Sequence, residues 1–177
     1  YLNNKYGATI CQADQVGKKL QKKGTPCFEA IVEHFGTDIL DEKGELDRER
    51  LAEIVFSKKE ELSVLNGIIH PAVKEEIRRK IAKEERKNTN LFIVEAALLI
   101  EDNYEEICDE LWYVYVEDEI RKKRLIYARG YDARKVDDII AAQLPKDVFL
   151  KHCDRVIDNN GVFEETKMQL DQIVADL

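Results

Sequence analysis

Apolar residues along this chain follow two different periods. Between residues 27 and 87 they recur every three or four positions. Phe28, Ile31, Val32 and Phe35 form one stripe, and Leu51, Ile54 and Val55 a second. Leu62, Leu65, Ile68 and Ile69 form a third, and Val73, Ile77 and Ile81 a fourth. That spacing places each set on one helical face and predicts mostly helix across 27–87. Elsewhere the apolar residues come in short runs. Residues 8–13 (ATICQA) and 155–158 (RVID) read as strands. Residues 91–94 (LFIV) and 111–116 (LWYVYV) are the continuous kind expected of strands buried on both faces of a parallel sheet.

Breakers and caps divide the remainder. Residues 1–6 read as the tail of a helix stopped by Gly7, and 15–23 as a helix ending at Gly24-Thr25-Pro26. Asp118 is positioned to cap a helix to about residue 128, Gly130 to break it, and Asp132 to cap the next, to about residue 143. A short helix over 145–152 follows. A final amphipathic helix carries Phe163, Leu170, Val174 and Leu177. Turns are expected at 41–44, 88–90 and 159–161. Strands alternating with helices predict an α/β domain with a parallel sheet, and the strandless stretch 27–87 an inserted helical subdomain.

Composition narrows the class. With 177 residues and 44% hydrophobic content the chain can bury a core. Lys and Arg number 28 against 36 Asp and Glu, a net charge of −8, which argues against a general nucleic-acid binder. No apolar run approaches the roughly 20 residues of a membrane span. The first residues are polar, so the expectation is a cytoplasmic protein without a membrane or nucleic-acid partner. The oligomeric state is not readable. Cys11, Cys27, Cys108 and Cys153 lack the spacing of a metal or redox motif, and His34, His70 and His152 lack ligand spacing, so no metal site is expected.

Ligands of open parallel sheets bind at the carboxyl ends of the strands, which singles out Asp14 and Glu95. A carboxylate there can orient a hydroxyl and accept its proton; Asp14 can equally serve as a helix cap. Lys18, Lys19, Lys22 and Lys23 can attract phosphate or form a solvated helix face. Residues 118–151 hold nine Lys and Arg and six Asp and Glu, a local net of +3 on an acidic chain. Arg121, Lys122, Lys123, Arg124 and Arg129 lie on or beside one helix ahead of Gly130. That pattern suits a phosphate-clamping mobile lid or an ordinary charged helical hairpin. Asn159-Asn160-Gly161 can be a plain turn or offer backbone groups to a nucleotide base.

Ordered motifs across nearly all of the chain resemble the dephospho-coenzyme A kinase family, a P-loop group similar to the nucleoside-monophosphate kinases. Ile10-Cys11-Gln12-Ala13-Asp14 resembles the family's V-I-D-A-D, and Gly24-Thr25-Pro26 with Ile31-Val32-Glu33-His34-Phe35-Gly36 its G-x-P…I-x-x-x-F-G. Leu46-Asp47-Arg48 to Leu51, then Val55-Phe56, resembles D-R-x-x-L…V-F. Leu65-Asn66 with His70-Pro71 matches L-N-x-x-x-H-P, the most specific element. Leu98-Leu99 with Glu101 resembles P-L-L-x-E. Ala141-Ala142-Gln143 and 156–161 (VIDNNG) match the closing motifs.

The resemblance implies a three-layer parallel sheet of P-loop kinase type with an inserted helical substrate-binding subdomain and a helical lid. Residues 1–26 and 88–177 would form the nucleotide-binding core, 118–145 within it the lid, and 27–87 the coenzyme-A-binding insertion. It implies ATP and Mg²⁺ as cofactors and dephospho-coenzyme A as substrate, phosphorylated on its ribose 3′-hydroxyl in the last step of coenzyme A biosynthesis. Asp14 takes the catalytic position. Arg124 and Arg129 are the lid candidates for phosphate, Arg48 and His70 for substrate, and Asn160 and Gly161 for the nucleotide base.

The chain departs from the family pattern in four places. Gln12 replaces the first acid of D-A-D, Ala97 the proline of P-L-L, and Ala128 stands where many relatives carry a lid arginine. The phosphate loop G-x-x-x-x-G-K-[ST] occurs nowhere in the 177 residues. The resemblance places it before Tyr1, so the expectation is that about 20 N-terminal residues are missing. Such a polypeptide would bind ATP poorly, and the phosphate and metal ligands would lie in that loop. Two other readings stand beside this one: a related P-loop small-molecule kinase with another acceptor, and a noncatalytic coenzyme-A-binding protein that has lost its phosphate loop.

Overall fold

In the computed structural model, which describes residues 1–177, the chain forms two compact units, 2–102 and 103–177, with Tyr1 joining the latter. The first unit opens with helix α1 (Leu2–Tyr6) and strand β1 (Thr9–Gln12). Gly7, at φ 68°, lets the backbone leave the helix in the left-handed region. Helices α2 (Ala13–Leu20), α3 (Pro26–Phe35), α4 (Arg48–Ser57) and α5 (Lys59–Glu85) follow, then strand β2 (Phe92–Glu95). β1 and β2 pair in parallel, Thr9 opposite Phe92 and Gln12 opposite Glu95.

Local chemistry starts these helices. The Thr25 hydroxyl accepts from the Phe28 N–H at 3.1 Å, with Pro26 in the first turn of α3. Asp47 caps α4 by accepting from the Glu49 and Arg50 amides. Three of the apolar stripes then meet, because Cys27, Ile31, Ile39, Leu51, Val55 and Leu65 form one buried cluster. Ile31 and Ile39 are fully enclosed. The third and fourth stripes belong to one helix: α5 runs 27 residues and passes through Pro71. Proline removes one helical N–H and crowds the preceding turn. Burial of Leu65, Val73 and Ile77 on either side of it offsets that cost.

The second unit holds strand β3 (Trp112–Tyr115), helices α6 (Asp118–Arg129), α7 (Ala133–Ala141) and α8 (Lys146–His152), strand β4 (Arg155–Asp158) and helix α9 (Phe163–Ala175). β3 and β4 are parallel, Trp112 opposite Arg155 and Tyr115 opposite Asp158. Asp132 caps α7 by accepting from the Lys135 N–H at 2.9 Å, and Gly130 ends α6 at φ 64°.

Two expectations need correction. Asp118 does not cap α6. Glu117 precedes the helix, and Asp118, in its first turn, accepts instead from Arg121 at 2.8 Å. Nor are the two apolar strands buried on both faces: β2 is half-buried, and Val114 of β3 is 55% exposed. Each strand has one paired neighbour, so its other edge and part of its surface stay open.

An ion-pair network braces the start of β3. Glu110 accepts from Arg155 at 3.1 and 3.2 Å and from the Trp112 indole at 2.8 Å, and Arg155 also approaches Asp176 at 3.5 Å. Hydrogen bonds from Arg155 and then Trp112 hold the Glu110 carboxyl below the ordinary glutamate range. A lowered native pKa gives stability that is complete above the unfolded value, about 4.3, and lost as pH falls through the native one. Glu110→Gln is therefore expected to flatten the acid-side fall of the thermal midpoint below about pH 4.5. Thermal melts from pH 7 to 3 check it; parallel profiles for the two proteins would refute it.

All four cysteines are free, and burial pushes their thiols up, which disfavours the reactive thiolate. No helix is long and apolar enough to cross a membrane.

Candidate functional site

The parallel pairing of β1 and β2 brings their carboxyl ends side by side. Gln12 ends β1, Glu95 ends β2, and the Gln12 amide donates to the Glu95 carboxylate at 3.1 Å. An acid at position 12 would set two carboxylates opposite each other, a repulsive cross-strand pair. The amide removes that conflict and orients Glu95. The chain turns directly into α2, with Asp14 exposed in its first turn. The capping alternative does not hold for Asp14: the N-cap residue is Gln12, with no side-chain cap. An acidic side chain is favoured at this end of a helix, and Asp14 remains open to a ligand. Lys18 follows it by one turn. Lys23 is engaged elsewhere, its ammonium on the Lys43 carbonyl and its amide on Glu45.

Among the helices of the same unit, Arg48 is exposed at the first position of α4, beside its cap Asp47. His70 lies mid-way along α5, and its Nδ1 is 2.8 Å from the Asp102 carboxylate. No spacing in the sequence points to Asp102.

In the second unit the carboxyl ends of β3 and β4 also lie side by side. The turn 159–161 is held from several directions. Asp158 accepts from the Asn160 N–H at 2.8 Å, the Asn159 N–H donates to the Tyr115 carbonyl at 2.8 Å, and the Asn160 side-chain oxygen accepts from the Glu117 N–H at 2.7 Å. From α9, the buried Thr166 hydroxyl donates to the Asn159 side chain at 3.0 Å, and Gln169 both donates to and accepts from the Asp158 backbone. Arg124 completes the set, donating to the carbonyls of Asn159, Asn160 and Gly161 at 2.6, 3.0 and 3.2 Å. Sequence reasoning singled out Arg124 and the 159–161 turn separately. The fold joins them, and the Arg124 fork is spent on carbonyls. Arg129, at the exposed end of α6, makes no such contact.

A cavity of about 340 Å³ opens at the end of β3, between the hairpin of α6 and α7 and the start of α8. Tyr113, Tyr115, Glu117, Arg121, Gln143 and Lys146 are among its lining residues. Arg121 donates to Gln143 at 2.7 Å and to Asp118, while its buried Nε has no partner. Lys122 bridges to Asp137 at 2.7 Å, so the hairpin is cross-linked twice, from Arg121 and from Lys122. Thr166, Gln169 and the cavity's tyrosines were missed in the sequence. Gln143 and Arg121 carried a signal, one in a closing motif and the other in the basic run.

No three His, Cys, Asp or Glu side chains converge to hold a metal ion by themselves. Mg²⁺ beside phosphates needs only one or two carboxylates, a donor chemistry that Asp14 and Glu95 have.

The family model described as dephospho-CoA kinase matches residues 1–165. A dephospho-CoA kinase of Carboxydothermus hydrogenoformans is 37% identical over 93% of this chain and 80% of its own length. One of Aquifex aeolicus is 39% identical over 97% of this chain and 86% of its own length. Among solved structures, TT1252 from Thermus thermophilus superposes with a TM-score of 0.76 at 25% identity, covering 99% of this chain and 88% of that one. A dephospho-CoA kinase from Campylobacter jejuni has a TM-score of 0.71 at 23% identity, covering 99% and 89%, and likewise shares the mixed α/β fold with parallel strands.

Proposed function

The chain belongs to the dephospho-CoA kinase family, and from that premise we propose how its own residues divide the work of the family's reaction, the ATP-dependent phosphorylation of dephospho-CoA in coenzyme A biosynthesis. The ribose 3′-hydroxyl oxygen of dephospho-CoA bonds to the γ-phosphorus of ATP, the bond from that phosphorus to the β–γ bridging oxygen breaks, and ADP leaves. The hydroxyl proton passes to the Asp14 carboxylate and from there to water. The transition state is loose, so positioning and charge stabilisation dominate, and Asp14 need only orient the hydroxyl and take its proton late. The observation that carries this assignment is an exposed carboxylate directly beyond the carboxyl end of β1.

The other residues take supporting parts. Glu95, oriented by Gln12, and Asp14 are the carboxylates suited to Mg²⁺, which when bound neutralises charge on the phosphates. Arg129 is assigned to the transferring phosphoryl group, because its guanidinium is not otherwise engaged. Asn160 and Gly161 offer backbone groups to the nucleotide base, and Arg124 holds their turn rather than the phosphate. Arg48 and His70 serve the dephospho-CoA side, in the helical segment 27–87. The stretch 118–145 is assigned as the lid. These roles fit a P-loop kinase with a three-layer sheet. The phosphate-loop motif does not occur among the 177 residues, so the backbone cradle for ATP is not assigned to any of them.

The test is a panel of alcohol acceptors given to the full-length gene product with ATP and Mg²⁺. Dephospho-CoA is expected to gain one phosphoryl group at the 3′ position, read by mass and by phosphorus NMR. Turnover of another acceptor with none of dephospho-CoA would overturn the assignment.

A further inference from the structure

We propose that Asp102 is a positioning residue that fixes the ring orientation and tautomer of His70, and through it the dephospho-CoA site. The proposal rests on the reading of His70 as a substrate-side residue. It starts from the 2.8 Å contact between His70 Nδ1 and an Asp102 carboxylate oxygen, across 32 residues of sequence. Both ends of that contact are anchored. His70 stands in the interior of a 27-residue helix, one residue before Pro71. Asp102 closes a turn after β2, its N–H donating to the Leu98 carbonyl at 3.0 Å. The two side chains are 28% and 21% exposed, so the bond is sheltered without being sealed from a ligand.

An ionised carboxylate only accepts hydrogen bonds, so it selects the ring form with the proton on Nδ1. Nε2 then becomes the variable nitrogen: a lone-pair acceptor in the neutral ring, a donor in the imidazolium. Without the carboxylate this contact fixes neither the orientation nor the tautomer of the ring, and either nitrogen can carry the proton. Asp102 thus does for this imidazole what an outer carboxylate does for a histidine that must keep one nitrogen available. The same bond ties the turn that follows β2 to the helix carrying His70.

The test uses the full-length protein labelled with ¹⁵N-histidine, His70 being assigned by the signal lost in His70→Gln. In the parent protein the neutral ring is expected to carry its proton on Nδ1. Asp102→Ala should lose that signature and raise KM for dephospho-CoA about tenfold, with KM for ATP unchanged. Asp102→Asn keeps the shape of the side chain but can donate to Nδ1 as well as accept from it, so the fold should be retained while the neutral ring no longer holds a single tautomer. It also guards against a folding defect in the alanine variant. An Nδ1 proton that persists in Asp102→Ala with KM unaltered would overturn the proposal. If His70→Gln leaves KM for dephospho-CoA unchanged, the substrate reading of His70 falls. In that case the ¹⁵N spectra still decide whether Asp102 sets the tautomer.

Discussion

Asp14→Asn in the full-length protein is expected to lower kcat about 10²- to 10⁴-fold, the usual range for removing a positioned proton acceptor. KM for ATP and for dephospho-CoA should change little. The reason lies in where Asp14 sits. β1 ends at Gln12, and α2 begins at Ala13, so the side chain is held at a strand end by a rigid helix and remains exposed. Asparagine is nearly isosteric and can still accept a hydrogen bond from the hydroxyl. It cannot take the proton, so the loss falls on the chemical step and not on binding. Rapid-quench measurement of a single turnover separates chemistry from product release. A variant within threefold of the parent in that step would remove Asp14 from the mechanism. Glu95→Gln gives a useful contrast: raising Mg²⁺ should recover most of its loss, but only a small part of that of Asp14→Asn, which also removes the proton acceptor.

The second large effect is expected at Arg129, where alanine should lower kcat about 10²- to 10³-fold, comparable to losing one preorganised donor to a developing negative charge. Arg124→Ala should behave differently. Its guanidinium donates to three successive carbonyls, so its loss loosens the 159–161 turn. KM for ATP should rise, discrimination between ATP and GTP should narrow, and kcat at saturating ATP should stay within a few-fold. Lysine cannot restore Arg124, because a single ammonium does not reproduce a planar fork spanning three acceptors. Steady-state kinetics with both nucleotides decide the matter. A fall in kcat for Arg124→Ala with Arg129→Ala silent would exchange the two roles.

These two arginines show how far the sequence reading reached. The basic helix ahead of Gly130 was visible as a charge pattern, and both residues were candidates for phosphate. Spacing along a helix could not show that Arg124 meets a turn 35 to 37 residues further on. Nor could it reveal the cavity beside Arg121, whose walls come from a strand, a helical hairpin and the start of another helix. The same limit produced the errors in capping. Asp118 and Asp14 both have a capping side chain, but the caps are decided by where the preceding strand lets the helix begin.

The signals legible along the chain are therefore short-ranged. The three-to-four-residue period of 27–87 specified helices, the apolar runs specified strands, and Gly7, Gly130 and Asp132 marked where elements stop or start. Each of those signals acts through the backbone within a few residues, so it is written in the local order of side chains. The ordered motifs also carried the family, because each survives as a short string. The pairings of Gln12 with Glu95, His70 with Asp102, and Arg124 with the 159–161 turn emerge from the folded chain alone. Their partners lie 83, 32 and 36 residues apart, and such contacts depend on strand register and helix packing, which no local pattern encodes.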